Sequence, residues 1–161
     1  MSPMKQVQFV ILLLVAAAFL AGARTAQGQV YEVSGNTRLQ PSPFGDEPRA
    51  SGSAYFEGDV WLAPSWASSI YYDAYFDGTL SVNCRGLTPF ATYQINESTC
   101  FTADSNGAAK LTLNPFSAFG GGYGFRRMYV SFPVTIARQV SGSTGTTYVD
   151  VLQGSISVRV W

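Results

Sequence analysis

Val130-Ser131-Phe132-Pro133-Val134-Thr135-Ile136 decides the fold class, because four apolar residues take every second position and Ser, Pro and Thr stand between them. Side chains of an extended strand alternate between faces, so this period puts Val130, Phe132, Val134 and Ile136 on one buried face. Pro133 falls on the opposite face and lacks an N–H for a ladder, which predicts a strand at a sheet edge. The same period extends outward in both directions. Past a polar loop at 141–146, Leu152, Ile156, Val158 and Val160 point inward on a last strand. Upstream, Leu80, Val82 and Cys84 share one face, and Ile70, Tyr72, Ala74 and Phe76 lie opposite Tyr71, Asp73 and Tyr75. No long window carries a helical stripe, and the chain is expected to be all-β.

Turn chemistry divides these runs. Gly58-Asp59 suggests a bulge or turn, Asp77-Gly78 a tight turn and Asn106-Gly107 a hairpin. A strand from Ala108 is expected to stop at Asn114-Pro115, followed by a glycine-rich loop, Gly120-Gly121-Gly122-Tyr123-Gly124. Residues 34–49, rich in Ser, Pro, Gly and Asn, read as irregular surface chain.

At the amino end, Lys5 precedes an apolar run from Phe9 to Leu20 that closes with Ala21-Gly22-Ala23. A charged start, a short apolar stretch and small residues before a cut are the layout of a secretory leader, and the run is too short to span a bilayer. The expected organisation is a leader over 1–28, an irregular segment over 29–50 and one β-sandwich domain over 51–161. The mature protein is then secreted or periplasmic, with no stable membrane span.

Lys+Arg and Asp+Glu number 10 each in 161 residues, and removing Lys5 and Arg24 with the leader makes the remainder slightly acidic. Phosphate binding draws on clustered cations, so nucleic acid is not an expected partner. The chain has no histidine. That removes Ser-His-Asp and Cys-His nucleophiles and His-rich zinc centres, and no cofactor or metal is expected. The two cysteines, Cys84 and Cys100, read as one disulfide in an exported chain; closing a loop of about fifteen residues contributes roughly 3 kcal/mol in the chain-entropy account.

Leu87-Thr88-Pro89-Phe90-Ala91-Thr92-Tyr93 has the Leu-x-Pro-x-x-x-Tyr spacing. It resembles the tyrosine corner of fibronectin type III domains and related Greek-key β-sandwiches. The resemblance implies two packed antiparallel sheets, with Leu87 and Pro89 shaping a corner and the Tyr93 hydroxyl bonded to upstream backbone.

Three functional readings follow. The first is a secreted, non-enzymatic β-sandwich acting as a structural or protein-interaction module. The second is a carbohydrate-binding module whose exposed aromatics, Tyr71 and Tyr75 with Trp61 and Trp66, form a platform for an extracellular glycan. The third is a small glycoside hydrolase using two carboxylates among Glu57, Asp59, Asp73 and Asp77 across a cleft. Asn96-Glu97-Ser98 also matches the N-glycosylation sequon.

Overall fold

The computed structural model describes residues 30–64, 71–124 and 128–160. They form eight strands: β1 (Val30–Pro41), β2 (Ser51–Pro64), β3 (Tyr71–Arg85), β4 (Thr92–Ile95), β5 (Thr99–Thr102), β6 (Ala109–Tyr123), β7 (Met128–Gly142) and β8 (Gly145–Val160). The leader read at 1–28, Trp66 and Ile70 lie outside the described residues. Among those described, no helix is long and apolar enough to cross a membrane.

The expected all-β class holds, but the strands do not separate into two sheets. Every pairing is antiparallel, in the order β5-β4-β7-β6-β3-β2-β1-β8, and β7 also pairs with β8. Strands β1, β2, β3, β6, β7 and β8 therefore close into a six-strand barrel in chain order, with the β4–β5 hairpin inserted between β3 and β6. A small barrel is filled by its own inward side chains. Here Phe56, Phe76, Phe116 and Phe132 meet at its centre, with ring centroids 4.6 to 6.2 Å apart. Val60, Leu80, Val134, Ile136, Leu152 and Ile156 complete the packing and are all fully buried. Rings and aliphatic side chains thus fill the interior of the barrel.

Several local expectations change for physical reasons. The segment 34–49 is not wholly irregular: β1 runs through Pro41 and pairs with β2 from Val30↔Trp61 to Leu39↔Gly52. Its inward side does alternate, but Gly35 and Thr37 hold two of the positions between Val33 and Leu39, which hides the apolar signal. A Cβ at Gly35 would sit 2.8 Å from Val158, so the small residue is what the packing permits. Asp77-Gly78 is not a turn either. Gly78 lies opposite Gly58 in the β2–β3 ladder, and a Cβ on either glycine would fall 2.3 Å from a carbonyl oxygen of the other strand.

Strand β6 does not stop at Asn114-Pro115. The two residues form a bulge: the register against β3 moves from Leu80↔Leu113 to Gly78↔Phe116, with one extra residue on β6. A one-residue insertion exchanges the faces of everything beyond it. Leu111 and Leu113 therefore face in before the bulge, and Phe116, Ala118, Gly120 and Gly122 face in after it. The glycine-rich stretch is then strand rather than loop. Cβ atoms on Gly120 and Gly122 would lie 1.9 Å from the carbonyl oxygens of Ser131 and Tyr129, so their absence lets β6 and β7 join.

Strand β7 is not an edge strand, because it pairs with β8 along its length. Its other side is shared: β6 takes Tyr129–Ser131 and β4 takes Ile136–Arg138. Pro133 falls in the interval between them, where a missing N–H costs least.

The expected disulfide is absent. Cys84 faces the interior from β3, whereas Cys100 is exposed on β5 at the far end of the sheet order, and both thiols are free. Burial pushes the Cys84 thiol up to about 12, which suppresses its thiolate and its reactivity.

Two outcomes test this arrangement. Gly120→Ala and Gly122→Ala should each cost about 1–3 kcal/mol in chemical denaturation, the range for overpacking, and unchanged midpoints would show that β6 and β7 do not meet this closely. Alkylation of the native protein should modify Cys100 alone, with Cys84 reacting only after denaturation; protection of both thiols until reduction would restore the disulfide.

Candidate functional site

The register builds two aromatic rows on the outer wall. Val30↔Trp61, Trp61↔Tyr75 and Tyr75↔Phe119 are successive cross-strand pairs, so these four residues run side by side across β1, β2, β3 and β6. Four residues along β3, Tyr71↔Tyr123 and Tyr123↔Tyr129 make a second row across β3, β6 and β7. At about 3.3 Å per residue the rows lie roughly 13 Å apart. Ring contacts tie each row together, with centroids 5.2 Å apart for Tyr75 and Phe119 and 6.2 Å for Tyr71 and Tyr123. Neighbouring rings brace one another and still show a large part of their surface: Tyr75 is 46% exposed, Phe119 59% and Tyr123 70%.

Polar and small residues separate the rows. Asp73 stands between Ala63 and Gly121, giving a low floor with one carboxylate. Beyond the Trp61–Tyr75–Phe119 row, Asp59 lies directly opposite Asp77, and the Ser117 hydroxyl donates to Asp77 Oδ1 at 3.4 Å. Like charges facing each other across a ladder destabilise a sheet, and both carboxylates are exposed to solvent, which screens the repulsion.

Tyr71, Tyr75 and Trp61, singled out in the sequence, thus share one surface. Phe119, Tyr123 and Tyr129 join them and were missed, because the glycine run read as a loop and the bulge at Asn114-Pro115 changes the phase of β6. Tyr129 was legible as the outward neighbour of Val130. The carboxylates Glu57, Asp59, Asp73 and Asp77 lie on the outer face of β2 and β3, side by side on an open wall rather than across a cleft.

A separate polar cluster locks one end of the barrel. Tyr93, fully buried, accepts a hydrogen bond from the Thr88 N–H at 2.9 Å, the geometry of a tyrosine corner. Its hydroxyl donates to Glu47 Oε1 at 2.8 Å. Glu47 is only 7% exposed and also receives the Thr88 hydroxyl, the Thr88 N–H at 3.1 Å and Arg138 Nη1 at 3.1 Å. Arg138 pairs with Asp46 through its other nitrogen. A buried carboxylate is tolerable only with such a set of donors, and this one pins the 42–50 loop to the corner at Leu87. Glu47 carried no sequence signal, since it stands in a stretch read as irregular.

Asn96 is likewise committed to the fold. Its side chain accepts from the Thr135 N–H at 2.8 Å and donates to the Pro133 carbonyl at 3.0 Å, standing in for a ladder partner where β7 has none. No family model, curated protein or solved structure matches the chain.

Burial, and then the bond to Glu47, push the Tyr93 hydroxyl up to about 12. A raised folded-state value means that its contribution to stability is whole below about pH 10 and is lost as pH rises through about 12. The Tyr93→Phe variant should lose about 1–3 kcal/mol near neutral pH and show a shallower fall between about pH 10 and 12, followed by denaturation at each pH. Parallel pH profiles for the two proteins would refute the link.

Proposed function

We propose that this protein is an exported, non-enzymatic binding barrel that holds a glycan against the outer wall of β2, β3 and β6. The observation that carries this reading is the pair of exposed aromatic rows with carboxylates standing between and beside them. Aromatic faces pack on the apolar faces of sugar rings, and carboxylates accept hydrogen bonds from the hydroxyls around the rim.

The same interleaving weighs against a protein partner as the main ligand, because charged residues are depleted from the centre of protein interfaces. Nucleic acid fits poorly, since Asp59, Asp73 and Asp77 would face its phosphates. The lack of histidine and the open placement of the four carboxylates support binding over hydrolysis. The apolar run ahead of Ala21-Gly22-Ala23 supports export to a secreted or periplasmic location.

Titration of the purified protein with a broad glycan panel, read through tryptophan fluorescence, tests this directly. Saturable binding is expected, with Tyr75→Ala and Phe119→Ala each weakening it at least about fivefold. Phe44→Ala, at a site 88% exposed and outside both rows, should leave binding unchanged. A panel without a hit, or a hit insensitive to both ring deletions, would remove the reading.

A further inference from the structure

The shared edge of β7 opens a groove. β6 leaves β7 after Gly121↔Ser131 and β4 joins it at Ile95↔Ile136, so the two strands diverge like the arms of a fork. Pro133 and Thr135 form the floor between them. The resulting cavity is about 420 Å³, and Gln94, Glu97, Ser117, Phe119 and Asp150 contribute to its sides. Its lining holds two carboxylates, Glu97 and Asp150, and no lysine or arginine. Ser117, on the same wall, donates its hydroxyl to Asp77 of β3 at 3.4 Å. Arg138, next along β7, is held by Asp46 and Glu47 and does not neutralise them.

Phe119 belongs to both places. It lines the groove and contacts Tyr75 in the aromatic row, so the groove continues the platform rather than forming an isolated site. We propose that this groove is a subsite for an amine-bearing sugar, and hence that the glycan taken by the outer wall is a cationic, amino-substituted polysaccharide; the inference rests on the glycan reading above. A protonated amine would find carboxylates at Glu97 and Asp150 and an aromatic ring at Phe119, a combination suited to a cation on a hydroxylated ring. An acidic glycan would meet Asp59, Asp73, Asp77, Glu97 and Asp150 with no compensating cation in the groove.

The test compares three oligosaccharides of equal length by calorimetry: a β-1,4-linked glucosamine hexamer, its fully N-acetylated form and a β-1,4-linked glucose hexamer. Wild type, Glu97→Gln, Asp150→Asn and Tyr75→Ala are each titrated at about 25 and about 250 mM salt, where screening of exposed charges differs strongly. The glucosamine hexamer should bind wild type several-fold more tightly than either neutral form, with the margin shrinking at the higher salt. Each carboxylate substitution should lower its affinity about two- to fivefold and leave the neutral hexamers within twofold, while Tyr75→Ala weakens all three. Both acids are exposed, so their amides leave the packed interior untouched. Equal affinity for charged and neutral hexamers, or carboxylate variants that bind the glucosamine hexamer as wild type does, would overturn the subsite while platform binding stands. Failure of every oligosaccharide would overturn the platform as well. Hexalysine binding more tightly than the glucosamine hexamer, with the same dependence on Glu97 and Asp150, would reassign the groove to a basic peptide and overturn the proposal.

Discussion

The join between β6 and β7 is the constraint on which the rest of this structure depends. Among the described residues, Gly121↔Ser131, Gly122↔Val130 and Tyr123↔Tyr129 pair across it, and this short join turns an open sheet into a barrel. Backbone oxygens approach where Cβ atoms would otherwise stand, so the closure is written in the glycines. Closing the sheet removes two exposed edges and encloses the phenylalanine cluster. It also brings Tyr129 on β7 alongside Tyr123 on β6 and so completes the second aromatic row.

The bulge at Asn114-Pro115 decides what that wall displays. Without its extra residue, β6 would keep the phase of Leu111 and Leu113, pointing Phe119 and Tyr123 into an already filled interior and Phe116 into solvent. With it, Phe116 enters the core beside Phe56 and Phe132, and Phe119 and Tyr123 stand outside next to Tyr75 and Tyr71. Because β6 holds β7 over so short a stretch, β4 can take the remaining edge and Asn96 can fill the interval. The fork that makes the groove is therefore a consequence of the same limited seam. Beside the fork, one residue further along β4 and β7, Glu47 gathers Tyr93, Thr88 and Arg138 and ties the 42–50 loop to the inserted hairpin.

Alternation made much of the wall readable from the chain. Val130 to Ile136, Leu80 to Cys84 and Tyr71 to Phe76 face as their period requires, and Tyr71, Tyr75 and Trp61 stand outside as a platform would need. Tyr93 meets the Thr88 backbone as the corner spacing implies, although the surrounding fold is a barrel and not a sandwich. What stayed hidden was chiefly non-local. Glycine normally punctuates a strand, so Gly120 to Gly122 looked like a loop until the approach of β7 gave them a reason. Gly35 and Thr37 concealed β1 in the same manner. Pairing of Cys84 with Cys100 followed from export and even number, but the closed barrel points one inward and puts the other on the outer hairpin. Glu47 acquires meaning only when Tyr93 and Arg138, distant in sequence, converge on it.

Recognition on the outer aromatic wall can be tested by amide chemical-shift mapping of the isotope-labelled protein during titration with a glycan hit. The largest shifts are expected at Trp61, Tyr75, Phe119, Gly121 and Tyr123, with the barrel interior and the Glu47 corner little changed. Shifts concentrated instead around Arg38 and Arg85 at the barrel's end, or at the exposed tip joining β7 to β8, would contradict it.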